Sequence, residues 1–169
     1  MHAAREFPPN PHALVVHVDG RLTEEIVETY VSDSDRAPDW VRAALAIPGL
    51  RVLSLNTYKV RVQKHKDAAW NEVLDPLERT VAAGLGVETI SDLVPEGSDR
   101  RTFRWHHGPF ARRVFEGRNQ AREHPLAGRL FELNGVAEVI LDANTVEVRR
   151  CPLFDWGELT TAIEACLDA

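Results

Sequence analysis

The side chains with most chemical capacity crowd one stretch of the chain. Between Arg100 and Arg129 there are eight arginines and only two acids, Glu116 and Glu123. Guanidinium groups hold carboxylates or phosphates through paired hydrogen bonds, so Arg101, Arg104, Arg112 and Arg113 suit an acidic peptide, a phosphorylated peptide or a nucleic acid. Trp105 lies among them and either stacks with such a ligand or joins the core. The bland alternative is a solvated, arginine-rich hairpin. His106, His107, His124 and Cys151 are the residues that could hold a metal. Neighbours on a strand point to opposite faces, however, so His106 and His107 do not converge on one ion. A transition-metal site needs several ligands in a defined geometry, and thiolate ligation of a cluster usually takes four cysteines. The chain has two, Cys151 and Cys166, with no CxxC. No resident metal or cofactor is expected. There is also no GxSxG, glycine-rich phosphate loop, HExxH or DxD pair, so the expectation is a protein that is not an enzyme.

Charge and composition narrow the classes further. A net charge of −6 argues against nucleic acid as a partner. No apolar run approaches the roughly 20 residues that span a bilayer. Residues 1–12 lack the apolar core of a signal peptide, so a cytoplasmic location is expected.

The elements that must position these side chains are written twice. Residues 47–81 lie over 133–167 without a gap at an offset of 86. Gly49/Gly135, Leu55/Leu141, Val60/Val146, Val62/Val148, Trp70/Trp156, Glu72/Glu158 and Glu78/Glu164 are identical. Period-two alternation in His12–Asp19 and Lys59–Lys64 predicts half-buried strands, and Trp70, Val73, Leu74, Leu77 and Val81 make the stripe of an amphipathic helix starting near Asp67. Asp19-Gly20 is a hairpin-turn signal, Ile26–Val31 reads as a strand, and Asp39 is placed to cap a short helix over Trp40–Ile47. The second unit repeats the order, with an arginine-bearing hairpin over Arg101–His107 and Arg112–Glu116. In its first strand Phe103 and Trp105 take the places of Leu14 and Val16, at an offset of 88–89.

The expected fold is α+β: two tandem ββαββα units, each an antiparallel four-stranded sheet with two helices on one face. The units run over 7–83 and 100–169, joined by a linker at 84–99 in which Thr89–Leu93 could form one helical turn. Matched Trp70 and Trp156 read as anchors of helix to sheet.

Several short motifs resemble one family. His124-Pro125-Leu126-Ala127, Leu130-Phe131, Gly135-Val136, Thr145-Val146-Glu147-Val148 and Trp156 are similar to the N-terminal domain of the Nfu/NifU-like iron–sulfur scaffold proteins. Pro9-Asn10-Pro11 and Tyr58–Lys64 resemble that domain's opening segment and its fourth strand with a terminal lysine. The resemblance implies a non-enzymatic scaffold or adaptor that recognises a protein partner in iron–sulfur assembly, without the CxxC domain that holds the cluster. Partner contacts are expected at an exposed sheet face and at the hairpin of Arg101, Arg104, Trp105, Arg112 and Arg113. The alternatives are binding of a phosphate-bearing ligand, phosphopeptide or nucleic acid at that hairpin, or direct binding of iron or another metal.

Overall fold

The computed structural model describes residues 1–106 and 111–169. In chain order its elements are β1 (Ala3–Glu6), β2 (Ala13–Val18), β3 (Glu28–Tyr30), α1 (Asp39–Leu45), β4 (Leu50–Asn56), β5 (Lys59–Lys64), α2 (Trp70–Leu85), β6 (Ser91–Asp92), β7 (Arg100–Arg104), β8 (Arg113–Phe115), α3 (Arg118–Ala121), α4 (Pro125–Glu132), β9 (Val136–Leu141), β10 (Thr145–Arg150) and α5 (Trp156–Asp168). They build an α+β molecule with two sheets, ordered β3-β4-β5-β2-β1-β6 and β7-β10-β9-β8. Each sheet has its own apolar core, one drawn from residues 3–87 and the other from 103–167.

The shared unit is four strands in which the last pairs with the first. Val62 and Val60 of β5 face Leu14 and Val16 of β2, and all four are buried. Val148 and Val146 of β10 face Arg101 and Phe103 of β7 in the same way. The two strands at the start of each unit therefore do not form a hairpin, contrary to the Asp19-Gly20 signal. That signal is local, whereas burying the apolar face of β2 requires the longer-range ladder to β5. The pairing also sets the offset of the first strands at 87, with Phe103 in the place of Val16 and Trp105 in that of Val18. The matching bonds from Val18 N–H to Tyr58 O and from Trp105 N–H to Asn144 O confirm that register.

Four other local expectations are corrected. Asp39 pairs with Arg42 inside the first turn of α1 and caps nothing. Helix α2 begins at Trp70, because residues 65–69 are tied down as a loop. Residues 91–92 form strand β6 instead of a helical turn, running parallel to β1. The first sheet is thereby six strands wide, because β1 pairs antiparallel with β2 along the edge that its counterpart β7 leaves free.

The repeated loop before the last helix shows why certain residues recur. Gly49 and Gly135 both have φ of 95°, a left-handed conformation that side chains disfavour. An added Cβ would come within 2.8 Å of Ala68 or 2.6 Å of Phe154. The carbonyls of these glycines accept the N–H of His65 and Cys151 at 2.7 Å in each unit. Lys64 Nζ donates to Ala68 O at 2.6 Å and Arg150 donates to Pro152 O at 3.1 Å, each cation also lying over Trp70 or Trp156. The Nε1 groups of both tryptophans donate outward, to Pro11 O at 2.8 Å and Ser98 O at 2.7 Å, which ties the residues just before β2 and β7 to the helices α2 and α5.

Candidate functional site

Two surfaces recur in both units, and in each case one copy is occupied and the other is open. The first is the corner built by the glycine turn, the end of the fourth strand and the loop before the last helix. In the second unit this corner comprises Asp99, Ala137, Arg149, Arg150, Cys151 and Pro152, and the β4–β5 turn of the first unit sits against it. Tyr58 Oη accepts the Gly135 N–H at 2.9 Å, and its ring meets Phe154 edge-on at 5.6 Å. Arg21 lies over the ring at 5.5 Å and donates to Leu133 O at 3.1 Å. Cys151 Sγ donates to Val18 O at 3.4 Å. Only about 70 Å3 stays empty there. Burial disfavours charge on the Tyr58 hydroxyl, and it pushes the Cys151 thiol up to about 11. Burial next to Arg149 lowers Lys59.

The equivalent corner of the first unit carries His12, Arg51, Gln63, Lys64, His65 and Lys66, and it is a recess of about 460 Å3 open to solvent. Ala68 stands where the second unit has Phe154, and Gly49 where it has Gly135. Among the described residues no acceptor takes the Gly49 N–H.

The second surface is the outer edge of each unit's first strand. Bonds from Trp105 N–H to Asn144 O and from Arg150 N–H to Asp99 O set the alternation along β7. Residues 101 and 103 bond inward to β10, so Arg100, Thr102 and Arg104 present their backbone N–H and C=O outward. Among the described residues no strand covers that edge. In the first unit the same edge of β2 is taken by β1, register Ala4↔His17 and Glu6↔Val15, and the His17 ring bonds Glu6 at 2.8 Å.

The arginines are placed differently from expectation. Strands β7 and β8 lie at opposite edges of the four-stranded sheet, so Arg101, Arg104, Arg112 and Arg113 do not share a hairpin. Arg101 stacks on Trp156 at 4.8 Å and donates to Thr160 Oγ1. Arg100 pairs with Glu147 at 2.5 Å and Glu138 at 2.7 Å. Arg104 and Arg112 are exposed. Arg113 lies over the Phe115 ring and 3.6 Å from Glu123. Arg118 belongs to the contact between units, pairing with Glu24 and Glu132. Trp105 is 7% exposed and packs in the core.

The metal candidates do not assemble. His124 caps α4, accepting the Ala127 N–H, and packs beside Trp105 and Phe115; burial lowers its basicity. Cys151 is buried between the units and His106 is exposed. His107 lies outside the described residues, among which no group of three potential ligands occurs. Among them no helix is long and apolar enough to cross a membrane.

Sequence reading missed Tyr58 and the corner it fills. The available signal was the repeat itself: Tyr58 aligns with Asn144, an unlike residue between two matched strands.

The second half of the chain is thus an α+β unit that ends in a tryptophan-anchored helix. Residues 106–169 match the family described as "Scaffold protein Nfu/NifU N terminal", linked to iron–sulfur cluster assembly, which bears out the resemblance for the second unit. Similar solved structures include the following three. The crystal structure of protein SAV1430 from Staphylococcus aureus is 22% identical, covering 48% of this chain and 99% of that one, with a TM-score of 0.43. Its solution structure is 21% identical over 47% of this chain and 89% of that one, with a TM-score of 0.41. That of SeR13 from Staphylococcus epidermidis is 23% identical over 50% and 99%, with a TM-score of 0.39. No curated protein matches.

Proposed function

We propose that this chain is a non-enzymatic adaptor of iron–sulfur cluster assembly, cytoplasmic, in which two Nfu-N-like units (7–83 and 100–169) recognise protein partners and hold no cluster themselves. The observation that carries this reading is the open edge of β7. It offers outward backbone groups at Arg100, Thr102 and Arg104, with exposed guanidinium charge along it. An extended segment adds to such an edge by main-chain hydrogen bonds, and side-chain charge then selects an acidic sequence. The first unit supplies the template, since β1 covers the matching edge of β2 and places Glu6 against His17. The match of residues 106–169 to the scaffold family supports the setting.

The test is affinity capture from native lysate with identification by mass spectrometry. Thr102→Pro removes one outward N–H while leaving the bonds to β10, a change that edge strands tolerate. That variant loses the captured partners, Arg104→Glu weakens their capture, and the Arg112→Ala/Arg113→Ala double variant retains them. A cysteine-rich scaffold or an iron–sulfur client among the partners decides for the assembly setting. Retention of every partner by folded Thr102→Pro removes β7 as the site.

A further inference from the structure

The corner of the first unit is the same structural device as the corner that Tyr58 fills in the second, with its seat empty and its charge changed. We propose that it is a second docking site, for an acidic β-hairpin tip of a partner protein that carries a tyrosine, seated on the first unit as the β4–β5 turn is seated on the second.

The seat is kept. Gly49 holds the same left-handed conformation as Gly135, φ 95°, so its N–H occupies the place of the group that donates to Tyr58 Oη. Ala68 stands in place of the larger Phe154, next in the chain to Asp67 of the recess wall. The cation that braces the loop is also kept, because Lys64 is committed to Ala68 O and lies over Trp70.

The rim is what differs. Arg51, His65 and Lys66 are exposed here, against the single acid Asp67. Their counterparts at the filled corner are Ala137, Cys151, Pro152 and, for Asp67, Leu153, all uncharged. The filled corner, where Arg149 and Arg150 stand with Asp99 and Glu116, accepts the turn Asn56-Thr57-Tyr58-Lys59, with Arg61 just beyond it. The basic corner repels that turn and attracts one flanked by carboxylates. A second copy of this chain does not supply such a turn: its Tyr58 is already buried at 3% exposure, and the equivalent turn of its second unit has Asn144 in place of the ring. The occupant is therefore a different protein. This site is on the other unit from the β7 edge, so each can fail without the other.

The experiment is nuclear magnetic resonance titration of the isotope-labelled full chain with a cyclic hairpin peptide. The probe has the sequence of residues 53–62 with Asn56→Asp and Lys59→Glu. Amide shifts are expected at Gly49, His65 and Lys66, with none at Gly135. Replacing the tyrosine of the probe by alanine abolishes them. The exposed-site double variant Arg51→Glu/Lys66→Glu weakens the probe by at least about tenfold. An unmodified-sequence probe, with Asn56 and Lys59 restored, then binds this variant better than it binds the wild-type chain. Equal binding of the alanine probe, absence of shifts at Gly49, or no charge dependence overturns the proposal. Sedimentation supplies the remaining arm: self-association that Lys66→Glu abolishes would put a second copy in the corner and also overturn it.

Discussion

The two halves of this molecule share a scaffold and differ in which of its surfaces are closed. The first unit has its strand edge covered by β1 and its corner open. The second unit has its strand edge open and its corner filled by Tyr58. What the units hold in common, the left-handed glycine, the cation over the tryptophan and the tryptophan itself, is what folds the unit. The specific contacts lie where they differ. Each of the two surfaces is thereby displayed once among the described residues.

Tyr58→Ala should be the most damaging, because it empties the corner and leaves the Gly135 N–H without its acceptor. About 3–5 kcal/mol is expected, the range for buried aromatic truncations. Urea unfolding should then split into two transitions, one per core; a single unshifted transition would mean that the units do not depend on this contact. Raising the pH comes next. Cys151 in the folded chain holds its proton up to about 11, above the ordinary value of 9.0. A raised folded-state value contributes stability that is present below pH 9 and lost as pH climbs towards 11, here on the order of 2–3 kcal/mol. Cys151→Ala should flatten that loss in thermal melts. Alkylation at pH 8 should label Cys166 and spare Cys151.

Smaller changes test the shared scaffold. Trp70→Phe and Trp156→Phe each remove one indole hydrogen bond, and each should cost about 1 kcal/mol. Similar costs in the two units support the equivalence of the loops, whereas a large disparity would break it. Arg101→Ala should be smallest, about 0.5–1 kcal/mol, since it removes an exposed cation stacked on Trp156. Lys64→Ala, in contrast, should cost more, because Lys64 is 8% exposed and its ammonium satisfies the Ala68 carbonyl.

The parts of this architecture that were legible in the sequence are those with periodic signals inside one element. Val60 and Val62, Val73, Leu77 and Val81, and the matched tryptophans gave the strands, the helix face and the repeat. Strand order was not legible, because the pairing of β2 with β5 is a long-range choice that the Asp19-Gly20 turn signal misrepresents. Strands β1 and β6 span four and two residues, too few to show a side-chain period. The arginine cluster misled for a related reason. Arg101 and Arg113 are near in sequence, yet two strands separate β7 from β8, and part of the charge is spent on Trp156, Glu138 and Glu147. The filled corner joins residues 77 apart, Tyr58 and Gly135, whose types announce nothing until they meet.

Residue-resolved amide hydrogen exchange on the native chain compares equivalent groups of the two units within one sample. Slow exchange reports a bonded, protected N–H and fast exchange an open one. Protection is expected at Gly135 and rapid exchange at Gly49, together with protection at Val15 and His17 and rapid exchange at their counterparts Thr102 and Arg104. Equal protection within both sets of equivalent positions would contradict the complementary closing of the two units.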